Sequence, residues 1–315
     1  MEHGVTVIKG TEFDVFPLNL GGNTFGWTSN REQTFAVLDA FVAAGGNFVD
    51  TADSYSAWVE GNEGGESERE LGAWIKERGA DKLIIATKSG ALEPVAGRSR
   101  EATFKAVEGS LERLGVESID IFYYHYDDEA VSIDEQVAIA NDLIAQGKIK
   151  HLALSNYSAE RLAEFFEKSV GTPAQPVALQ PHYNLVSRKD YEENVQPLAE
   201  KHGVAVFPYF ALAAGLLTGK YTSKEDISGK ARAGQLDRYA SDEAFAVVTE
   251  LRAVADELGV APTTVALAWL VAHGVTAPIA SVSKVEQLKD LMAVKDVELS
   301  AEQLARLDKV SEPFA

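Results

Sequence analysis

Short apolar runs alternate with longer amphipathic segments along most of the chain. The runs lack regular polar alternation, which is typical of strands buried on both faces. They predict strands at 18–20, 47–50, 83–87, 119–124, 150–154, 177–180, 204–208 and 276–280. Apolar residues at three- and four-residue spacing predict helices at 31–44, 67–78, 100–114, 133–146, 159–169, 189–201, 242–258, 263–271, 286–294 and 301–310. This order indicates an α/β fold whose parallel sheet is covered by helices.

Eight strands in this rhythm favour a (β/α)8 TIM barrel. A doubly wound open sheet is the alternative, and Asp50 could then serve as its ribose-binding acid. The first strand-to-helix turn, GGNTFG at 21–26, lacks the GxGxxG spacing that such a sheet uses to approach a pyrophosphate. We therefore predict the barrel.

Two kinds of addition surround the predicted barrel. A Gly-containing turn between two β-prone runs predicts an N-terminal β-hairpin at 5–8 and 13–16. Connections at 56–65, 91–98 and 220–240 are long and follow strand ends, so they predict extended loops at the C-terminal rim. Since α/β barrels often exceed roughly 200 residues as one unit, residues 1–315 are expected to form a single domain.

Composition and charge narrow the function classes. The 315 residues are 46% hydrophobic and 24% charged, which is typical of a globular protein. The net charge of −19 argues against a nucleic-acid or membrane surface, and the absence of cysteine excludes disulfides and thiolate sites. No apolar run approaches membrane-spanning length, so a cytoplasmic location is expected.

Polar side chains follow three consecutive predicted strands. Asp50, Lys88 and His125 end strands two, three and four, and Tyr55 lies in the loop after Asp50. Taken singly, each is explained by a turn or a solvated strand end, but a barrel brings them to one mouth. Lys88 is expected to lower the pKa of Tyr55, Asp50 to hold Lys88, and His125 to orient a carbonyl. This set predicts proton donation to a carbonyl oxygen.

Asp50, Tyr55, Lys88 and His125 resemble the catalytic tetrad of the aldo-keto reductase superfamily, and the resemblance to that family covers nearly the whole chain. The resemblance implies a barrel that binds NAD(P)H without a Rossmann fold and transfers hydride to an aldehyde or ketone, with Tyr55 as general acid. It implies carboxamide contacts from Ser155, Asn156 and Gln180, and stacking of Tyr209 on the nicotinamide ring.

The resemblance implies further cofactor contacts in two loops. The segment 216–221 is similar to the family's pyrophosphate loop, and 279–284 precedes a helix as does its segment for the adenosine 2′-phosphate. The candidates are Phe210, Leu212, Lys220, Ser281, Ser283, Lys284 and Gln287. Two positions depart from the family pattern: Ser283 stands where an arginine is usual, and Phe210 where a serine is common. NADPH is expected rather than NADH.

The rim loops carry three aromatic candidates for the substrate pocket, Trp27, Trp58 and Tyr126. Packing within a rim loop explains Trp27 and Trp58 equally well. The expected partner is a small carbonyl compound, with no nucleic acid, membrane or metal, and the oligomeric state is left open.

Three other functions are compatible with a barrel. Lys88 could be the Schiff-base nucleophile of a lyase. A redox-sensing regulatory subunit with little turnover is suggested by the similarity of 23–27 to the channel-associated branch of the superfamily. A two-carboxylate hydrolase would have to use Asp127 and Asp128, which are also explained as loop acids.

Overall fold

The N-terminal hairpin closes one end of the molecule. The computed structural model describes residues 6–227 and 233–315, so Val5 of the predicted hairpin and 228–232 of the predicted rim loop lie outside the described residues. Strands β1 (Thr6–Val7) and β2 (Asp14–Val15) pair antiparallel, as predicted. Ile8 and Val15 are fully buried and join the core inside the barrel, so the hairpin covers its N-terminal end.

Eight parallel strands form the barrel. They are β3 (Asn19–Gly21), β4 (Phe48–Asp50), β5 (Ile84–Ser89), β6 (Ile119–Tyr124), β7 (Ile149–Ser155), β8 (Ala178–Gln180), β9 (Ala205–Val206) and β10 (Ile279–Ala280). Each pairs with its neighbour in chain order, and β10 pairs with β3. The amide of Ile279 donates to the carbonyl of Pro208 at 3.0 Å and closes the ring. The (β/α)8 prediction is confirmed.

The barrel interior combines small and large side chains. Alanines lie in several of its strands, and Phe48, Tyr123 and Phe207 fill the space they leave. Phe48 meets Phe207 edge to face at 5.0 Å between ring centroids. A second, larger core lies between the strands and the helices. The described strands therefore enclose a packed core and not a pore.

The helices surround the strands. They are α1 (Arg31–Ala43), α2 (Glu66–Arg78), α3 (Arg100–Leu114), α4 (Ile133–Ala145), α5 (Ala159–Ser169), α6 (Gln196–His202), α7 (Ala233–Leu236), α8 (Asp242–Leu258), α9 (Pro262–Ala272), α10 (Val285–Met292) and α11 (Ala301–Ser311). Serine hydroxyls cap the N-termini of α3, α4, α5, α8 and α11, because each accepts a backbone N–H of the first turn.

Prolines account for several differences from the predicted bounds. The helix predicted at 189–201 is a π-helical turn at Tyr191–Val195 followed by α6, because Pro197 has no N–H for an i→i−4 hydrogen bond. Strands β9 and β10 are shorter than predicted, since Pro208 and Pro278 cannot donate to a ladder. The predicted rim loop at 220–240 contains a short 3-10 turn at Glu225–Ile227 and helix α7.

Among the described residues, no single helix has both the length and the hydrophobicity needed to cross a membrane. Helices α8 and α9 meet that criterion only as a pair, and the pair is bent by 97°.

Candidate active site

A cleft of about 890 Å³ opens at the C-terminal ends of the barrel strands. Strand register brings these ends level, because Asp50 pairs with Ala86 and Lys88 with Tyr123. Tyr55 and His125 line the cleft, whereas Asp50 and Lys88 lie beneath them and are fully buried. The structure thus brings the four predicted catalytic residues together.

Lys88 is the centre of the buried network. Its Nζ donates to Asp50 Oδ2 at 2.6 Å, to the carbonyl of Thr51 at 2.8 Å and to the hydroxyl of Tyr55 at 2.8 Å. These three acceptors match the three donors of an ammonium group. Burial lowers the pKa of Lys88, and the neighbouring Asp50 carboxylate opposes that shift. The amine is fixed in one position with its proton directed at the phenol oxygen.

Tyr55 remains a protonated phenol in the free protein. Burial and the Asp50 carboxylate hold the pKa of Tyr55 well above its usual range, so the expected lowering by Lys88 is wrong for the free protein. The hydroxyl donates to Asp50 Oδ2 at 3.2 Å, which favours the neutral form. Tyr55 therefore carries the proton that a proton donor requires, and in this structure that proton is directed at Asp50.

His125 is held as a neutral imidazole. Burial, with the positive charges of Lys88 and Arg98, lowers the pKa of His125 well below its usual range. The ring stacks on Tyr126 at 4.7 Å and meets the Tyr55 ring edge-on at 6.3 Å. A neutral imidazole has one N–H donor, which suits orientation of a carbonyl oxygen beside Tyr55.

The predicted carboxamide contacts form a chain along the strand ends. Gln180 donates to Asp50 Oδ1 at 2.9 Å, so it belongs to the network around Lys88 while lining the cleft. Ser155 is buried behind the lining residues, where its hydroxyl donates to the carbonyl of Gln180 at 2.9 Å. Asn156 lines the cleft and accepts the Tyr209 hydroxyl at 3.0 Å.

Most of the other predicted cofactor residues also line the cleft, namely Tyr209, Phe210, Leu212, Lys220, Ser281, Ser283 and Gln287. Lys284 does not, because it is the exposed N-cap residue of α10. Gln287 turns back on the same helix end, where its Oε1 accepts the amides of Ser283 at 3.0 Å and Lys284 at 3.2 Å. In the free protein its acceptor oxygen is therefore engaged in capping.

Unusual backbone conformations cluster around the cleft. Among the described residues other than glycine, positive φ occurs at Ser56, Asn156, Phe210, Ala213 and Ala214, all in rim loops. Such conformations cost about 1–3 kcal/mol each and persist where the surroundings impose them, often at ligand sites. The left-handed backbone continues from Ala213 through Ala214 to Gly215.

The charge of the cleft differs from that of the molecule. No Asp or Glu is among the described residues that line the cleft, whereas Lys220 and Arg238 both line it. The whole chain carries 48 acidic residues. At the wall of the cleft, Ser281 packs directly on Gly21, since a Cβ at Gly21 would collide with Ser281 Oγ. The donors, the basic groups and the volume fit a nicotinamide dinucleotide.

An aromatic rim surrounds the entrance. Trp27 and Trp58 meet edge to face at 5.5 Å, and Trp58 lies 6.2 Å from the Tyr55 ring. Trp58 and Tyr126 are 54% and 48% exposed, which is high for large aromatic side chains. All three predicted substrate-pocket residues are therefore at the cleft.

The sequence analysis missed several residues of this region. Gln235 lines the cleft from the segment around α7. Arg238 lines it too, although its place in a charged loop had favoured a solvated side chain over one that closes on a cofactor. Asp53 and Arg98 are buried beside the network, and both were hidden because charged residues in loops are usually solvated. The only available signal was Asp53 within the DTADSY run that holds Asp50 and Tyr55. Within 6–227 and 233–315, no group of three His, Asp or Glu side chains is placed to hold a metal.

Comparison with known proteins agrees with this geometry. The model of the aldo/keto reductase family matches residues 17–312. An aryl-alcohol dehydrogenase [NADP(+)] of Phanerodontia chrysosporium is 30% identical, over 95% of this chain and 83% of the relative. A norsolorinic acid reductase of Emericella nidulans is 30% identical, over 93% of this chain and 78% of the relative. A probable voltage-gated potassium channel subunit beta of Oryza sativa is 31% identical, over 87% and 85%. The chain belongs to the aldo/keto reductase family.

Proposed function

We propose that this protein is an NADPH-dependent reductase of aldehydes or ketones in which Tyr55 is the general acid. The observation that carries the proposal is the hydrogen bond of 2.8 Å that the buried Lys88 ammonium donates to the hydroxyl of Tyr55, a residue that lines the cleft. NADPH, when bound, supplies the hydride that reduces the carbonyl carbon. The protein's own task is to give a proton to the carbonyl oxygen.

The network stabilises Tyr55 after it has given up its proton. As Tyr55 loses its proton to the substrate, the negative charge on its oxygen is stabilised by the Lys88 ammonium at 2.8 Å. Asp50 keeps the ammonium in place at 2.6 Å, and Gln180 orients Asp50 from the other side. The phenol has a high pKa before the reaction and a nearby cation to stabilise the phenolate afterwards.

NADPH is proposed over NADH because of the basic and hydroxyl groups in the cleft. A 2′-phosphate is attracted by cationic groups and hydroxyl donors and repelled by carboxylates. No described lining residue is acidic, whereas Arg238, Ser281 and Ser283 lie in the cleft. Tyr209 would support the nicotinamide ring, and Lys220 would lie near the pyrophosphate.

The aromatic rim supports an aromatic carbonyl substrate. Trp27, Trp58 and Tyr126 offer flat apolar faces around the entrance to Tyr55. Offset or edge-on ring pairs contribute roughly 0.5–1.5 kcal/mol beyond burial. The relatives named for an aryl alcohol and for norsolorinic acid are consistent with this substrate class.

The alternatives fit the structure less well. A Schiff-base lyase needs a lysine that can reach its substrate, but Lys88 is fully buried and donates three hydrogen bonds. Asp127 is bound to Arg161 at 2.5 Å and cannot act as the free carboxylate of a hydrolase pair. A redox-sensing subunit would share the cofactor site, and slow turnover with tightly bound NADPH would favour it.

Replacement of Tyr55 by Phe tests the proposal. Loss of the general acid should lower kcat for an aromatic aldehyde by about 10²–10⁴-fold, while the dissociation constant for NADPH, measured by tryptophan fluorescence, should change little. Lys88→Met should lower kcat similarly. Retention of most activity by Tyr55→Phe would reject Tyr55 as the acid, and absence of NADPH binding to the wild-type protein would reject the reductase.

A further inference from the structure

The ring of Tyr209 is supported from behind by His182. The two rings stack at 5.3 Å between centroids with an interplanar angle of 10°. The backbone fixes the same pair, because His182 and Tyr209 form an isolated parallel β-bridge and the Tyr209 amide donates to the Pro181 carbonyl at 2.9 Å. Tyr209 lines the cleft, so the imidazole sets the plane of the ring proposed to carry the nicotinamide.

His182 also binds a distant part of the rim. Its Nε2 lies 2.8 Å from the hydroxyl of Tyr239, 57 residues further along the chain. Burial lowers the pKa of His182, so the ring is neutral at pH 7 and can accept the Tyr239 proton. Leu236 is fully buried and anchors the same segment, and the Tyr239 amide donates to its carbonyl at 3.0 Å.

The segment that carries Tyr239 also forms part of the cleft wall. Gln235 and Arg238 line the cleft, and Arg238 is adjacent in sequence to Tyr239. On the other side, the Tyr209 hydroxyl donates to Asn156 at 3.0 Å, and Asn156 donates to the His125 carbonyl at 2.9 Å. One chain of direct contacts therefore runs from the wall beside Arg238 to His125.

We propose that His182 is a positioning residue that couples the two halves of the cofactor site. A ligand that binds beside Arg238 would act, through Tyr239 and His182, on the plane of the Tyr209 ring and so favour the nicotinamide at its place. The inference rests on the proposed function, because it assumes that the phosphate-bearing and nicotinamide halves of NADPH bind in this cleft. It predicts that each half of the dinucleotide binds better when the other is present.

Fragments of the cofactor test the coupling directly. Reduced nicotinamide mononucleotide serves as the hydride donor, and adenosine 2′,5′-bisphosphate is added as the separate phosphate-bearing half. For the wild-type protein, saturating adenosine 2′,5′-bisphosphate should raise kcat/KM for the mononucleotide by about fivefold or more, a typical size for coupled sites. Tyr239→Phe, which removes only the hydroxyl bound to His182, should reduce this enhancement to less than about twofold.

His182→Phe keeps a flat ring behind Tyr209 but cannot accept the hydrogen bond, and it should reduce the enhancement equally. The double variant should be no worse than either single variant, because the two residues act through one bond. Tyr183→Phe is the matched control. It removes a hydroxyl bound to Glu192 at 2.9 Å, one residue from His182 and outside the chain of contacts, so the enhancement should persist despite any loss of stability.

The outcomes separate the inference from the function on which it rests. Turnover with NADPH combined with full enhancement in Tyr239→Phe would overturn the coupling alone. Turnover with NADPH but no enhancement in the wild-type protein would also overturn it. No binding or turnover with NADPH in the wild-type protein would overturn both. Thermal unfolding of each variant verifies that it is folded when the rates are measured.

Discussion

Two fully buried charged residues, Asp53 and Arg98, lie beside the proposed catalytic network. The Asp53 amide donates to the Lys88 carbonyl at 3.0 Å, so its backbone is part of the site. Its carboxylate oxygens have no hydrogen-bond partner within the described part of the chain. Burial and the carboxylate of Glu68 raise the pKa of Asp53 to about 7, although Arg113 and Arg98 oppose the shift. Near neutral pH this carboxyl group changes its charge inside the protein.

Asp53→Asn should therefore change how stability depends on pH. In the unfolded chain an aspartate has a pKa of about 3.9. Between about pH 4 and pH 7 the folded protein therefore still holds a proton that the unfolded chain has already released. Folding stability falls through this window, and the loss is complete above the folded pKa. The amide of the variant carries no charge at any pH, and its advantage at pH 8 should be on the order of 4 kcal/mol.

Differential scanning calorimetry of both proteins at pH 5 and pH 8 measures this effect. The difference in Tm between Asp53→Asn and the wild type should increase by several degrees toward pH 8. Glu257→Gln is a control without pH dependence in this range: hydrogen bonds from Arg306 and Gln303 lower the pKa of Glu257, so the carboxylate stays charged and the Tm difference from the wild type should be the same at pH 5 and pH 8. A difference for Asp53→Asn that is equal at both pH values would show that the carboxyl group does not titrate in this range.

At the scale of elements, the sequence specified the order of strands and helices more firmly than their ends. Apolar runs and serine caps are local signals, and they located the barrel. The π-helical turn at Tyr191–Val195 was missed because the pattern of apolar residues is the same across it, and only Pro197 disturbs the hydrogen bonding. The predicted ranges of short strands such as β9 were too long, since a proline removes a hydrogen-bond donor without interrupting the apolar run.

In the site, too, local signals predicted some residues, whereas contacts between distant parts of the chain were not predicted. Asp50, Lys88 and His125 were predicted because each directly follows a strand, and the barrel fixes where strand ends lie. Contacts between loops far apart in sequence had no such rule: nothing in the chain joins His182 to Tyr239, or Gln180 to Asp50, before folding. The direction of the Tyr55 pKa shift was also missed, because burial outweighs the neighbouring lysine and burial is a property of the folded protein.

Close packing between neighbouring helices gives a second prediction. Gly72 on α2 lies against α3, where a Cβ at this position would collide with the Arg113 carbonyl oxygen. A backbone carbonyl cannot rotate away, so the two helices must separate in Gly72→Ala. This overpacking should destabilise the protein by about 1–3 kcal/mol, although alanine is otherwise the better helix former.

Gly109→Ala on α3 is the matched comparison. Its Cβ would meet only the end of the Arg113 side chain, 2.8 Å from Nη1, which can move. Urea unfolding followed by circular dichroism should place the midpoint of Gly72→Ala below that of the wild type and that of Gly109→Ala close to it. If both midpoints fell by the same amount, helix contact at Gly72 would not be the cause.

The whole molecule has a strong contrast between its surface and its cleft. A net charge of −19 repels an anionic cofactor at long range, whereas the described lining of the cleft includes Lys220 and Arg238 and no acid. Repulsion by the whole molecule and attraction by the cleft act at different distances. At about 10 mM salt charges interact over roughly 30 Å, and near 150 mM over only about 8 Å.

Salt should therefore accelerate the binding of NADPH. As ionic strength rises from about 10 to 150 mM, repulsion by the distant acidic surface is screened while the local groups remain effective, and the association rate constant should increase. Stopped-flow quenching of tryptophan fluorescence measures this rate. Lys220→Gln should bind more slowly than the wild type at about 150 mM salt, because it weakens the local attraction and leaves the distant repulsion unchanged. A wild-type rate that falls steadily with salt would mean that the basic groups of the cleft, and not the net charge, govern the approach of the cofactor.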